Sequence, residues 1–238
     1  MGEHGTPSGS GGAKHEEVGA PAQGVRVFAC ELARSAGDIS ALERVLSTDE
    51  LARAARFGRP HLRDRYVVGR ATLRAILGET LDLAPAGVPI ARGRRGRPMV
   101  PGATIDFNVS HTRGTAVFCV AQSVRVGIDI EHRDRELNVE GVARKFMSAR
   151  EQSMLAALAG DDRRHALLRL WTCKEAMSKA TGDALSAPFR KLDVAVAPVV
   201  TLAAGPAPYT PGQWRLLPVG VPGGYFTTVA VWHEPHSP

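Results

Sequence analysis

The chain has 238 residues, 44% of them hydrophobic and 23% charged. That balance excludes a mostly disordered or fibrous protein and suits one or two globular domains. Lys and Arg number 30 against 24 Asp and Glu, a net 30 − 24 = +6, so polyanions come into view as partners. The surplus is local: residues 51–97 hold eleven Arg against Asp64, Glu79 and Asp82, 11 − 3 = +8. An anionic ligand is expected on this half, because planar guanidinium forks match the paired oxygens of phosphate. A solvated basic helix face followed by a basic loop is the alternative.

In chain order, residues 1–24 are rich in Gly, Ser and Pro, contain no Leu, Ile, Phe, Trp or Tyr, and read as a disordered tail. Val25 to Leu32 reads as a strand. Ser40 to Arg56 and Leu62 to Leu77 read as helices, the second carrying Leu62, Tyr66, Leu73 and Ile76 at helical spacing and Gly78 as its cap. A loop rich in Pro, Gly and Arg follows, from Ala86 to Gly102. Thr104 to Ser110 and Thr115 to Ala121 alternate as strands about a tight turn. Arg125 to Glu131 reads as a strand; Val139 to Phe146, Ala149 to Ala159 and Arg163 to Thr181 as helices; and Lys191 to Val196, Gln213 to Val219 and Tyr225 to Trp232 as strands. Both halves thus run strand, helices, strands. The expected fold is α+β: two similar subdomains, 25–123 and 124–238, after the 1–24 tail.

No apolar run of about 18 residues occurs, so no transmembrane helix is expected. The N-terminus lacks the apolar centre of a secretory signal. Cys30, Cys119 and Cys173 are odd in number, far apart and set among apolar neighbours, which suits buried thiols in a cytoplasmic protein.

Five constellations carry chemistry. In Gly127-Ile128-Asp129-Ile130-Glu131, residues two apart share a strand face. Val126, Ile128 and Ile130 would enter the core while Asp129 and Glu131 point out together, as an acidic surface or as a pair converging on a hard cation such as Mg²⁺. In Trp171-Thr172-Cys173-Lys174-Glu175-Ala176-Met177-Ser178-Lys179, Trp171, Glu175 and Lys179 fall on one helix face. There the two charges make either a surface ion pair or a third carboxylate and a phosphate-binding cation. Asn108-Val109-Ser110-His111 ends a strand with a hydroxyl and an imidazole suited to phosphate. Arg92-Gly93-Arg94-Arg95-Gly96-Arg97-Pro98 combines glycine access with positive charge, without the spacing of a P-loop or a dinucleotide fingerprint. Ser148-Ala149-Arg150-Glu151 is a capping box, which accounts for Glu151 structurally.

Taken in order, G-R-P, F-N-V-S-H, G-I-D-I-E, F-x-S-x-x-E and W-T-x-K-E-A-x-x-K-x-x-G resemble the 4′-phosphopantetheinyl transferases. The likeness is to the longer, pseudo-dimeric branch that activates surfactin synthetase and related megasynthases, and it spans about Arg53 to Gly182. The resemblance implies two halves related by a pseudo-twofold axis, with the active site in the cleft between them, in a monomer. It implies transfer of phosphopantetheine from coenzyme A to a serine of an apo carrier domain of a polyketide, nonribosomal peptide or fatty acid synthase, with release of adenosine 3′,5′-bisphosphate. Asp129, Glu131 and Glu175 would hold Mg²⁺, with Mn²⁺ as the alternative ion. Ser110 and His111 would meet the 3′-phosphate region; Arg53, Arg92, Arg94 and Arg97 would meet phosphates. Arg97 stands where the family commonly has Lys. Lys179 would contact the phosphates and steady the leaving group, Glu151 would lie near the pyrophosphate, and Glu175 is the candidate base, acting directly or through a metal-bound water.

A non-catalytic module binding coenzyme A or a nucleotide would share the basic half but give no reason for the three carboxylates. Nucleic-acid binding fits poorly with 5% aromatic residues and no stacking motif. A metal-dependent phosphohydrolase leaves Ser110-His111 and Lys179 unexplained.

Overall fold

The computed structural model describes residues 13–234; the first half of the expected tail lies outside them. The chain divides into two compact units. One is Met1–His15 with Cys30–Val88; the other is Glu16–Ala29 with Pro89–Pro238. This division does not fall at residues 123/124.

The first unit is helical: α1 (Ala36–Glu43), α2 (Thr48–Ala54) and α3 (Pro60–Leu81). Helical spacing alone would run one helix from Ser40 to Arg56. The chain breaks there because Ser47 Oγ accepts from the Glu50 N–H at 3.3 Å while the Glu50 carboxylate accepts from the Ser47 N–H at 2.9 Å, a capping box that starts a new helix. Helix α3 runs past Gly78 and ends on Asp82, at φ 56°. Gly78 serves a close approach: a Cβ there would lie 2.6 Å from the Leu83 carbonyl.

Glu50 also ties α2 to α3, accepting from Arg70 Nε at 2.8 Å and Arg74 Nε at 2.6 Å. Burial draws the Glu50 carboxyl upward, but the Ser47 N–H and the two guanidiniums outweigh it and hold it below the usual range. Arg74 is 3% exposed and also donates to the carbonyls of Pro85 and Val88, each at 3.1 Å. Arg63 pairs with Glu43. Several cations of the basic stretch are therefore committed inside the fold.

The second unit holds the strands. Segment Glu16–Ala22, read as tail, is strand β1 and pairs antiparallel with β2 (Val25–Glu31) through an irregular register. Its order comes from backbone pairing, which a composition lacking large apolar residues does not reveal. A short ribbon, β3 (Ala91–Arg92) and β4 (Pro98–Met99), crosses the Arg-rich loop. Strands β5 (Ile105–Thr112) and β6 (Thr115–Gln122) form a hairpin whose turn places Arg113 and Gly114 at φ 40° and 101°. They complete a sheet of order β1-β2-β6-β5.

Next come β7 (Arg125–His132), α4 (Val139–Phe146), α5 (Ala149–Ala156) and α6 (Gly160–Thr181), the last ending on Gly182 at φ 81°. Strands β8 (Asp193–Ala195), β9 (Thr201–Ala204), β10 (Trp214–Pro218) and β11 (Tyr225–Trp232) follow. A second sheet has the order β10-β11-β7. The fold is α+β, as expected.

Strand β7 is covered on both faces. Val126, Ile128 and Ile130 pack with Val117, Cys119, Val229 and Val231 in one apolar cluster. The opposite face, bearing Gly127, meets α6, whose Leu170, Cys173, Ala176, Met177 and Ala180 belong to a second cluster with Tyr209, Trp214 and Ala230. Asp129 and Glu131 share the Gly127 face and are buried, 5% and 8% exposed. They therefore face a helix, not solvent, which corrects the expectation of an outward acidic pair.

Candidate active site

Strand β5 meets β7 through side chains. Asp106, Asn108 and Ser110 alternate on one face of β5. Asp106 Oδ2 accepts from the Val126 N–H at 2.8 Å and Asn108 Oδ1 from the Ile128 N–H at 3.1 Å. One step further, Ser110 Oγ donates to Asp129 Oδ1 at 2.8 Å. This polar stripe stands in for a backbone ladder and delivers Ser110 to the carboxylate.

Helix α6 closes the cluster. Glu175 and Lys179 lie one turn apart on it. Lys179 Nζ donates to Asp129 Oδ1 at 2.7 Å, to Ser110 Oγ at 2.8 Å and to the Ile128 carbonyl at 3.1 Å. Its side chain keeps 25% exposure. Gly127 makes this approach possible: a Cβ there would lie 1.9 Å from the Ala176 carbonyl oxygen and 2.7 Å from the Ala180 nitrogen.

Two carboxylate oxygens at this place, Asp129 Oδ2 and Glu175 Oε1, are buried without a hydrogen-bond partner. Such orphans are costly, about 1–3 kcal/mol each and more when charged. Burial, then the nearby Asp129 charge, push the Glu175 carboxyl above the usual range against the opposing pull of Lys179. Burial also raises Glu131, with Arg135 pulling the other way through an ion pair. Buried, unpartnered carboxylate oxygen is the donor chemistry of a hard cation. Among the described residues, no three metal-ligating side chains are gathered into a ready cage, and Lys179 and Arg135 engage Asp129 and Glu131.

The structure therefore gathers Ser110, Asp129 and Lys179 by direct bonds, with Glu131 and Glu175 near enough that the Asp129 charge helps raise both carboxyls. Other expected residues sit differently. His111 is exposed beside Ser110, on the alternate side of β5. Arg92 is exposed and donates to the Gly96 carbonyl at 3.0 Å. Arg53 is exposed in the first unit, its guanidinium over the Tyr66 ring at 5.6 Å. The Arg94 side chain lies outside the described ones.

Arg97 is buried, its guanidinium engaged by Asp106 and by three carbonyls. Glu151 is 1% exposed. Its oxygens accept from the Ser148 and Val194 N–H groups at 2.7 and 2.8 Å and from Lys174 Nζ at 2.5 Å. Glu151 is thus an interior strut of the capping-box kind, with its oxygens already engaged by the protein.

Sequence reasoning missed Asp106, the packing role of Gly127, the strand-bridging role of Asn108 and the partnership of Lys174 with Glu151. A lone glycine inside a strand pattern is a signal of close backbone approach, and the D-x-N-x-S alternation was the signal for the stripe.

Comparison with known proteins adds family information. The family model of the 4′-phosphopantetheinyl transferase superfamily matches residues 125–230, which include β7 and α6. The chain is 34% identical over 197 residues to the 4′-phosphopantetheinyl transferase HetI of Nostoc sp., covering 81% of each chain. It is 28% identical over 166 residues to the 4′-phosphopantetheinyl transferase Sfp of Bacillus subtilis, covering 64% of this chain and 73% of the relative. It is 30% identical over 125 residues to the 4′-phosphopantetheinyl transferase gsp of Aneurinibacillus migulanus, covering 52% and 51%.

Proposed function

Because this chain belongs to the 4′-phosphopantetheinyl transferase superfamily and is a transferase of that kind, we propose that the cluster on β5, β7 and α6 carries its chemistry. That chemistry moves phosphopantetheine from coenzyme A to a serine of an apo carrier domain and leaves adenosine 3′,5′-bisphosphate. The carriers would belong to polyketide, nonribosomal peptide or fatty acid synthases, and the protein would act as a monomer. The observation that carries this reading is the Lys179 ammonium bonded to both Asp129 and Ser110, beside buried carboxylate oxygens that have no partner.

Asp129, Glu131 and Glu175 would hold Mg²⁺, the orphaned oxygens of Asp129 and Glu175 being its natural first ligands. When bound, the ion supplies positive charge against the pyrophosphate. Lys179 would donate to phosphate oxygen and stabilise the charge that grows on the bridging oxygen as its bond breaks. Ser110 holds Asp129 and Lys179 in register. Glu175 would also serve as the base for the carrier serine, through its other carboxylate oxygen or through a metal-bound water, since a hydroxyl is a poor nucleophile unaided at neutral pH. Arg92 and His111, both exposed, would contact phosphate.

The test is intact-mass analysis of a panel of apo carrier domains incubated with coenzyme A and Mg²⁺. The wild-type protein is expected to add phosphopantetheine to at least one of them. Asp129→Ala and Glu175→Gln are expected to abolish the gain, and full transfer by both variants would overturn the assignment.

A further inference from the structure

We propose that Arg97 and Asp106 form a positioning pair that sets the C-terminal turn of α6, and through it the Lys179 ammonium, against β5 and β7. The inference rests on the reading of Lys179 given above.

Arg97 lies in the most basic loop of the chain, yet its side chain is only 7% exposed and that of Asp106 13%. Nη1 and Nη2 grip the two Asp106 oxygens at 2.5 and 2.7 Å, the fork-to-fork geometry that only a guanidinium offers. Nη2 also donates to the carbonyls of Val126 at 2.7 Å and Phe107 at 3.2 Å, and Nε to the carbonyl of Lys179 at 3.0 Å. Asp106 in turn accepts from the Val126 N–H at 2.8 Å. One ion pair thus binds β5, β7 and α6 together.

The Lys179 carbonyl belongs to the last turn of α6, where carbonyls have no partner within the helix. Arg97 supplies one there, on the same residue whose ammonium reaches Ser110 and Asp129. A second tie acts nearby: Arg95, also of the loop, pairs with Asp183, just beyond the helix, and Asp183 accepts from Tyr209 Oη at 2.6 Å. Asp106 also stands four residues before Ser110 on the same face of β5, about 13 Å along the strand. The pair therefore pins one end of the polar stripe whose other end is the reaction site. A direct phosphate contact, the role its neighbours in the loop suggest, would require this buried guanidinium to release those partners.

The experiment measures initial transfer rates at varied coenzyme A, using an apo carrier domain that the wild-type protein modifies. The variants are Arg97→Lys, Asp106→Asn, Lys179→Ala and the double Arg97→Lys/Lys179→Ala. Arg97→Lys and Asp106→Asn are expected to lower kcat about ten- to hundredfold while KM for coenzyme A stays within about twofold, the signature of lost alignment without lost ground-state binding. In the Lys179→Ala background the Arg97 substitution should cost about twofold or less, because the two act through one group. Should Arg97→Lys not fold, Asp106→Asn with its own Lys179→Ala double carries the same test.

A raised KM with kcat preserved would overturn the proposal in favour of direct phosphate contact. A fully additive loss in the double variant would overturn it in favour of general stabilisation. Normal rates for Lys179→Ala would instead remove the reading of the site itself, and normal rates for Arg97→Lys and Asp106→Asn beside an inactive Lys179→Ala would remove only this inference.

Discussion

Replacing Gly127 by Ala tests whether close approach of α6 to β7 is what assembles the site. The added Cβ would sit 1.9 Å from the Ala176 carbonyl oxygen, and ordinary contact begins at 3.4 Å. Helix and strand must therefore part by about 3.4 − 1.9 = 1.5 Å at that point, since the obstacle is backbone and not a side chain that can swing away. Ala176 follows Glu175 directly and lies three residues before Lys179. A shift of that size stretches the 2.7 and 2.8 Å bonds from Lys179 to Asp129 and Ser110 beyond hydrogen-bonding range. Misplacement by about 1 Å costs on the order of 10²-fold in rate, and overpacking costs about 1–3 kcal/mol or more in stability. Transfer to an apo carrier should thus fall about a hundredfold, with a lowered urea midpoint in the variant that remains folded. Wild-type rate and midpoint in Gly127→Ala would refute the claim that this contact assembles the site.

Three further outcomes follow from the packing. Glu50 has its carboxyl held below the ordinary value of 4.5. The stability it contributes is full above that value and is lost as pH falls through the folded value. Glu50→Gln should therefore lower stability by about 1–3 kcal/mol at pH 7, with the difference fading in acid, as read from urea titrations over a pH series. The Lys174–Glu151 pair has both side chains at 0% exposure, with burial holding the Lys174 ammonium below its usual range against the pull of Glu151. Lys174→Met leaves a buried carboxylate uncompensated and should cost about 3–5 kcal/mol; Lys174→Met/Glu151→Gln should recover part of it, and equal losses would contradict the pairing. Cys119 and Cys173 are buried with thiols pushed up to about 12, so only about one in 10⁴ is thiolate at pH 8. Both should resist a thiol reagent until denaturant is added, as counted by mass.

The elements and residues legible in the sequence share one property: local periodicity or motif order determines them. The G-I-D-I-E strand, the long final helix and the hairpin after the basic loop stand where spacing puts them, and Asp129, Ser110 and Lys179 do meet. What could not be read depends on contacts distant in sequence. Alternation on β7 shows two faces but not that both are covered, so an acidic pair expected at the surface proves buried against α6. The break between α1 and α2 was legible in Ser47-x-x-Glu50, but the apolar spacing masked it. Strand β1 has only a faint apolar signature, Val18 and Ala22 packing against the core, and its backbone partners come from the neighbouring strand.

Charge shows the same limit more sharply, because net charge counts groups without saying what each one faces. Of the eleven Arg between residues 51 and 97, Arg63, Arg70, Arg74, Arg95 and Arg97 are paired with carboxylates of the protein; apart from Asp64, which also meets Arg63, the acids that answer them, Glu43, Glu50, Asp106 and Asp183, lie outside that stretch. Counted with these four partners, the local +8 falls by half, 8 − 4 = +4. The Arg-rich loop changes meaning accordingly. Arg97 has the charge expected of a phosphate ligand, yet its burial and its five hydrogen bonds make it part of the framework. A cation that must receive a multiply charged substrate has to keep some access to water, as Lys179 does at 25% exposure. On the proposed reading, exposure joined to placement, more than positive charge alone, separates Lys179, which would meet the pyrophosphate, from Arg97, which would hold it in place.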